Sequence, residues 1–136
     1  MALACLLFVA CSRTPDDEAI RAAISAGAAA IEAHRGKDVL DLVTDDFVGN
    51  DGIDREELAQ VVRAQLLGAN ALGVRIGAVT VELHGDRAVA RFDADFTDSS
   101  GRWIADRAKT VHFDTGWRRE QGTWRCYNAK WSSDAR

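Results

Sequence analysis

The sequence predicts an α+β domain in which the helices come first and the strands follow. Ile20, Ile24 and Ile31 recur on one face at helical spacing. Residues 54–68 repeat this pattern behind a strong helix start. Beyond residue 74 the pattern becomes alternating, and residues 88–96 place alanine and phenylalanine on one face and mostly charged residues on the other. Helices segregated from a run of antiparallel strands are typical of the α+β class.

The first helix has a predicted start and a predicted end. Thr14 can cap it, Pro15 suits the first helical position, and Asp17 lies where a capping box needs an acceptor. The cation and glycine within residues 34–36 predict the end. A second, short helix is expected over residues 37–43, and its apolar stripe would be Val39, Leu40 and Val43.

The third helix has the clearest start. A short extended segment, residues 45–52, leads into an Asp51-Gly52 turn. Asp54 then caps the helix and Glu57 completes the capping box. The helix is expected to end at Gly68 and to bury one stripe: Leu58, Val61, Val62, Gln65 and Leu66.

Four strands are expected in the second half of the chain. They cover residues 74–84, 87–97, 105–119 and 123–131, and residues 85–86 and 120–122 form turns between them. If the last turn is Gln121-Gly122, Trp117 pairs with Cys126 and Thr115 pairs with Asn128.

The first ten residues form an apolar run that ends in Ala10, directly before Cys11 and a polar stretch. This run resembles a bacterial lipoprotein signal, which implies cleavage before Cys11 and lipid attachment to it. No Lys or Arg precedes the run, so we expect a longer leader that starts upstream. The alternative is a buried N-terminal strand or helix. The run is too short to cross a bilayer, which takes about 20 apolar residues.

The resemblance divides the chain into a signal peptide (residues 1–10), a tether (residues 11–16) and one domain (residues 17–136). It implies a membrane partner through the lipid anchor and a periplasm-facing place in the bacterial cell envelope. Ser12 after Cys11 resembles signals sorted to the outer membrane in Gram-negative cells.

Composition disfavours several classes of function. The net charge is −4 and the basic residues do not cluster, which argues against nucleic-acid binding. With Cys5 removed and Cys11 lipidated, Cys126 has no partner for an intrachain disulfide. The three histidines are scattered, and there is no Cys-x-x-Cys or phosphate-loop motif. We therefore expect no metal site and no cofactor.

Three segments resemble the NTF2-like (SnoaL-like) superfamily: residues 37–47, residues 47–58, and the terminal hairpin of residues 115–131. The resemblance covers about residues 17–132. It implies a strongly bent antiparallel sheet wrapped around the helices as a cone with a pocket. Members include enzymes and non-catalytic binding or assembly modules, and the most similar ones we identify are small bacterial lipoproteins of unknown function. A shared fold does not by itself assign a function.

A pocket in such a cone would be lined by the inward strand faces. Alternation predicts a ligand-binding set made of Arg107, Thr115, Trp117, Cys126 and Asn128. Arg107, with Lys109 and Arg119 on the same face, would favour a small polar or anionic ligand. Alternatively, these cations lie at strand ends and reach solvent. The tryptophans at 103, 117, 124 and 131 could line the pocket or form the core.

No residue is predicted to be catalytic. His112 and Asp114 share a strand face, but alternation places them outside the cone, and Asp45 and Asp46 fit a solvated loop. Cys126 is expected to be buried and inert. We therefore expect non-catalytic binding of a small ligand or a protein. The alternatives are a cofactor-free enzyme of isomerase, cyclase or dehydratase type that uses a pocket Asp or His, and an assembly module that dimerises through its sheet.

Overall fold

A computed structural model describes residues 14–68, 72–97 and 110–133. The predictions for Cys11, Trp103, Arg107 and Lys109 lie outside these residues. The helices are α1 (Asp16–Glu32), α2 (Gly36–Leu40) and α3 (Arg55–Leu67). The strands are β1 (Val43–Val48), β2 (Gly73–Ile76), β3 (Thr80–His84), β4 (Arg87–Thr97), β5 (Thr110–Glu120) and β6 (Thr123–Ser133).

The strands form one curled, unclosed sheet in the order β1-β6-β5-β4-β2, and β3 also pairs with β4. Pairing among β2 to β6 is antiparallel, whereas β1 lies parallel to β6. The predicted α+β class is confirmed. The sheet is mixed rather than purely antiparallel, because β1 comes from the helical half of the chain and joins the edge beside the last strand.

Of the two predicted helix caps, the one at the start of α3 is confirmed and the one at the start of α1 is not. The Asp54 carboxylate accepts the Glu57 backbone N–H at 2.8 Å, which confirms the cap of α3. The prediction that Thr14 caps α1 is wrong, because Pro15 takes the N-cap position and no side chain caps the helix. After α1, His34 adopts the left-handed conformation (φ 58°), which leaves Gly36 to begin α2.

The single strand predicted over residues 74–84 is two strands, and both pair with β4. Between them the Gly77 N–H donates to the Asp93 carbonyl at 2.9 Å. The Arg21 guanidinium donates to the Val79 carbonyl. The β-rich composition identified the segment, but contacts with β4 and α1 create the break.

The core lies between α1 and the inner face of the sheet. Ile20 and Ile24 pack with Ala88, Ala90 and the other buried apolar side chains of this layer. The alternation predicted for β4 is confirmed, since Ala88, Ala90 and Ala94 are buried. Small alanines on β4 let α1 approach the sheet closely.

Helix α3 is less buried than predicted. Leu58 and Val62 are half-buried, whereas Gln65 is exposed and Val61 is 44% exposed. The helix contacts α2 and the edge strand β1 along one narrow side, and the Arg55 guanidinium donates to the Leu40 carbonyl at 3.1 Å. A helix on a sheet edge buries a narrower stripe than one laid across a sheet face.

Candidate binding site

The inner face of the sheet has two unlike ends. The hairpin end contains the β3–β4 turn (residues 85–86), the β5–β6 turn (residues 121–122) and the start of α1. The Arg119 N–H joins the two turns by donating to the Asp86 carbonyl at 2.9 Å. The aromatic end, named for Phe92, Phe113 and Trp131, lies towards the end of β4, the start of β5 and the end of β6.

Three of the predicted ligand-binding residues come together, but inside the packed core. Thr115, Trp117 and Cys126 are 5%, 4% and 6% exposed. The Trp117 indole N–H donates to the Thr115 hydroxyl at 2.8 Å, and that hydroxyl donates to the Ala90 carbonyl at 2.7 Å. The Cys126 thiol donates to the Asn128 carbonyl at 3.1 Å. Their polar atoms are therefore satisfied within the protein.

Asn128 lies elsewhere, because the register changes once along the terminal hairpin. Trp117 pairs with Cys126 as predicted, but Gly116 pairs with Asn128 and Thr115 with Ala129. Tyr127 is thus the extra residue of a β-bulge. The exposed Asn128 covers Gly116 on the outer face, where a Cβ on that glycine would lie 2.6 Å from the amide oxygen. The predicted inward position of Asn128 is wrong, and Ala129 takes it.

Arg119, expected among the pocket cations, is held by carboxylates at the hairpin end. Its guanidinium donates to Asp86 at 2.7 Å and contacts both carboxylate oxygens of Asp16 at 3.4 Å. It also lies 5.6 Å from the centre of the Trp124 ring, within cation–π range. Arg119 therefore ties the two hairpins to the first helix.

Among the described residues of the inner face, the aromatic end has large side chains that are partly exposed. The rings of Phe92 and Phe113 stack with 5.0 Å between centroids and 14° between planes. Trp131 pairs with Phe113 across the strands, and all three side chains are half-buried. Trp117 and Trp124 are thus buried near the hairpin end, whereas these three rings keep part of their surface exposed, although Ala94 beyond Phe92 is only 1% exposed. A ligand that entered from this end would meet aromatic surface first.

The turn after β1 holds Trp131 in place. The Asn50 side-chain N–H donates to the Trp131 carbonyl at 2.7 Å, and its oxygen accepts the Trp131 N–H at 3.1 Å. The amide therefore pairs with β6 as another strand would. The Gly49 backbone lies on the indole, since a Cβ there would be 2.9 Å from the ring. In the sequence Asn50 stands directly before the predicted Asp51-Gly52 turn, and nothing local identifies a partner 81 positions away.

Asn50→Ala should lower the free energy of unfolding by about 1–3 kcal/mol, because two partly buried hydrogen bonds of β6 lose their partner. Urea denaturation followed by tryptophan fluorescence measures the change. Asp51→Asn at the neighbouring position is the control, because asparagine tolerates the left-handed conformation of residue 51 (φ 57°) and both hydrogen bonds to Trp131 come from Asn50. Equal losses in both variants would contradict the pairing role.

The outer face carries charged pairs. The His112 ring Nδ1 lies 2.6 Å from an Asp93 carboxylate oxygen, and Arg91 Nε lies 3.4 Å from the Asp114 carboxylate. His112 therefore lies outside the cone as expected, but its neighbour is Asp93 rather than Asp114. Its side chain is 44% exposed.

Asp45 and Asp46, expected in a solvated loop, lie instead on β1, and Asp46 pairs with Arg118. The two guanidinium nitrogens approach its oxygens at 2.8 and 3.1 Å. Hydrogen bonding to this cation lowers the pKa of Asp46 to about 2. The pair therefore stabilises the fold above about pH 4, and its contribution is lost as the pH falls through 2. Asp45 instead lines a shallow depression beside Asp54 and Arg55.

The thiol of Cys126 should not react with alkylating reagents in the folded protein at pH 8. Burial raises the pKa of Cys126 to about 12. This shift leaves roughly a thousandfold less thiolate than in an exposed cysteine. Iodoacetamide labelling followed by mass spectrometry checks this, with the urea-unfolded protein as the positive control. Rapid labelling of the folded protein would show that the thiol opens to solvent.

Within the part of the chain that the structure describes, no three His, Cys, Asp or Glu side chains group as a metal site. Across the same residues, no helix is long and apolar enough to cross a membrane.

No protein-family model matches the sequence, and no curated protein matches it. Solved structures do match. An NTF2-like protein of unknown function from Pseudomonas putida is 18% identical, with a TM-score of 0.73 over 86% of this chain and 85% of that one. A protein of unknown function with a cystatin-like fold from Nostoc punctiforme is 16% identical, with a TM-score of 0.74 over 88% and 91%.

An NTF2-like protein with a cystatin-like fold from Novosphingobium aromaticivorans is 20% identical, with a TM-score of 0.70 over 87% and 81% of the two chains. Identities this low support the shared architecture and leave the activity open. The order of the elements, the curled sheet and these likenesses agree with the resemblance found in the sequence: the chain has the NTF2-like fold.

Proposed function

We propose that this protein is an envelope lipoprotein whose single NTF2-like domain binds a small ligand, or a protein partner, without catalysing a reaction. The observation that carries the binding role is the half-buried aromatic end of the inner face, formed by Phe92, Phe113 and Trp131. The anchor is inferred from the apolar run before Cys11.

The aromatic end supports a ligand with a flat apolar part. Aromatic rings that are half-exposed offer stacking surface, and binding sites are commonly apolar with a few polar groups that fix orientation. The stacked pair Phe92–Phe113 forms a fixed platform, because β4 and β5 pair directly at these two residues. For an anionic group on the ligand, the partner proposed from the sequence pattern alone is Arg107.

The buried polar groups that the structure describes support binding over catalysis. Among the described residues, the buried polar side chains are Thr44 and Thr115. The Thr115 hydroxyl already donates to Ala90 and accepts from Trp117. The high pKa of Cys126 keeps its sulfur neutral. None of these groups is prepared to exchange a proton with a substrate.

Native mass spectrometry of the protein purified from its own host tests the binding role. We expect a co-purifying small molecule in the wild type, retained in Val89→Ala on the outer face and lost in Phe92→Ala. Phe92→Leu keeps the apolar volume without the ring, so it separates loss of stacking from loss of folding. A co-purifying protein would support the partner form of the proposal. A wild type that carries neither would overturn it.

A cofactor-free enzyme is the second candidate; it was expected to use a pocket Asp or His, whereas the 2.6 Å contact that favours it, between His112 and Asp93, lies on the outer face. A carboxylate that orients an imidazole is a common acid–base arrangement. If this pair were catalytic, His112→Ala would abolish conversion of the co-purified molecule. Under the binding proposal the same variant retains the molecule unchanged.

A homodimer through the sheet also remains a proposal. The described outer face carries charged side chains along β4 and β5, including Arg91, Asp93 and Asp114, so two copies would meet there through polar contacts. Light scattering at two salt concentrations measures the mass, and salt should weaken such a contact.

A further inference from the structure

The start of α1 is fastened to the hairpin end. The Asp16 carboxylate accepts the Trp124 indole N–H at 3.0 Å and contacts Arg119 at 3.4 Å. Arg119 in turn donates to Asp86 on the β3–β4 turn. Asp16 is 29% exposed and Arg119 25%. The first helical residue is therefore held against both hairpins, and the chain before it leaves the domain at this end.

The chain between Cys11 and Asp16 is short compared with the sheet. Five residues span at most about 18 Å when fully extended. Strand β6 has 11 residues and runs from the hairpin end to the aromatic end. At about 3.3 Å per residue it covers on the order of 30 Å. The tether is thus shorter than the distance between the two ends.

From this geometry we infer that the hairpin end is the surface that faces the membrane, and that the aromatic end opens to the aqueous compartment. This inference rests on the lipid anchor of the proposed function. The inverted orientation would hold Asp16 about 30 Å above the bilayer, beyond the reach of the tether. The aromatic end therefore takes its ligand or partner from water, and bilayer lipids do not enter it directly.

Tether length, rather than charge, sets this orientation. The hairpin end carries both signs: Asp86 and the acidic start of α1 oppose Arg87, Arg118 and Arg125, which are aligned across β4, β5 and β6. Arg118 is further neutralised by Asp46 and Glu120. A mixed surface has little net attraction for anionic lipids, so the orientation should not change with salt.

The test places one fluorophore at either end of the same strand. Thr123→Cys and Ser132→Cys are both exposed positions on β6. Cys126 is buried and the Cys11 sulfur would carry the diacylglyceryl group, so neither should label. The full chain, expressed with an intact lipoprotein signal, is reconstituted in vesicles of phosphatidylcholine and anionic phosphatidylglycerol that contain a headgroup-linked quencher. We expect loss of emission at position 123 and unchanged emission at position 132, at low and high salt.

The outcomes separate the orientation from the anchor. Equal or reversed quenching of protein that floats with the vesicles would overturn the orientation and leave the anchor standing. Protein that does not float would overturn the anchor, and the orientation with it. An insertion of about 20 Gly and Ser residues after Ser12 extends the reach beyond the length of the sheet, and should abolish the difference between the two positions. A difference that survives the insertion, or disappears with salt, would refute control by the tether.

Discussion

Cys11→Ser should move the protein from the membrane fraction to the soluble fraction. A serine hydroxyl lacks the sulfur to which a lipoprotein diacylglyceryl group is attached, and lipid chains contribute about 0.8 kcal/mol of membrane affinity per buried CH₂. Fractionation and intact mass of the purified protein measure the effect.

Cys5→Ser is the matched control for this prediction. Cys5 lies inside the apolar run and is removed if cleavage occurs before Cys11. The mature protein should then have the same mass and the same membrane partition as the wild type. A Cys5→Ser protein that is lighter than the wild type by the O-for-S exchange would show that the run is retained. Unchanged mass and fractionation in Cys11→Ser would disprove lipidation.

The parts of the fold that the sequence predicted correctly depend on neighbouring residues. The cap by Asp54 involves a residue three positions away, and the alternation of β4 follows from a one-sided core. The parallel pairing of β1 with β6 joins residues about 80 positions apart. Local periodicity contains no information about such a partner, so the mixed character of the sheet could not be foreseen.

The pairing of residues in the terminal hairpin was predicted correctly from its turn as far as Trp117 and Cys126, where a β-bulge interrupts it. The Gln121-Gly122 turn set the pairing of Trp117 with Cys126, and one residue further the bulge at Tyr127 reversed the faces. The sequence does contain one indication of this bulge. Gly116 interrupts a strand, where glycine often marks a bulge or a close approach, and Asn128 covers it in the structure. Because the register changes by one residue at the bulge, Ala129 rather than Asn128 faces inward beside Thr115.

Trp117→Ala should lower the free energy of unfolding by about 3–5 kcal/mol, because a large buried side chain is removed from a packed core. Trp117 is 4% exposed and lies over Ala88 on the neighbouring strand. Its indole N–H also loses its bond to Thr115, although the Thr115 hydroxyl keeps its bond to Ala90. Urea denaturation followed by circular dichroism gives the free energy.

Two variants decide whether Trp117 serves the core or a pocket. Trp117→Phe keeps an aromatic ring and loses the N–H bond, so it should cost about 1 kcal/mol from that bond plus a smaller packing loss. Trp131→Ala removes a half-buried indole from the aromatic end and should cost less than Trp117→Ala. If Trp117 lined an open pocket, its removal would abolish ligand retention with little change in stability. We expect Trp117→Ala to lose much stability and Trp131→Ala to lose the ligand. This result would show that Trp117 serves the core at the hairpin end and that Trp131 serves binding at the aromatic end.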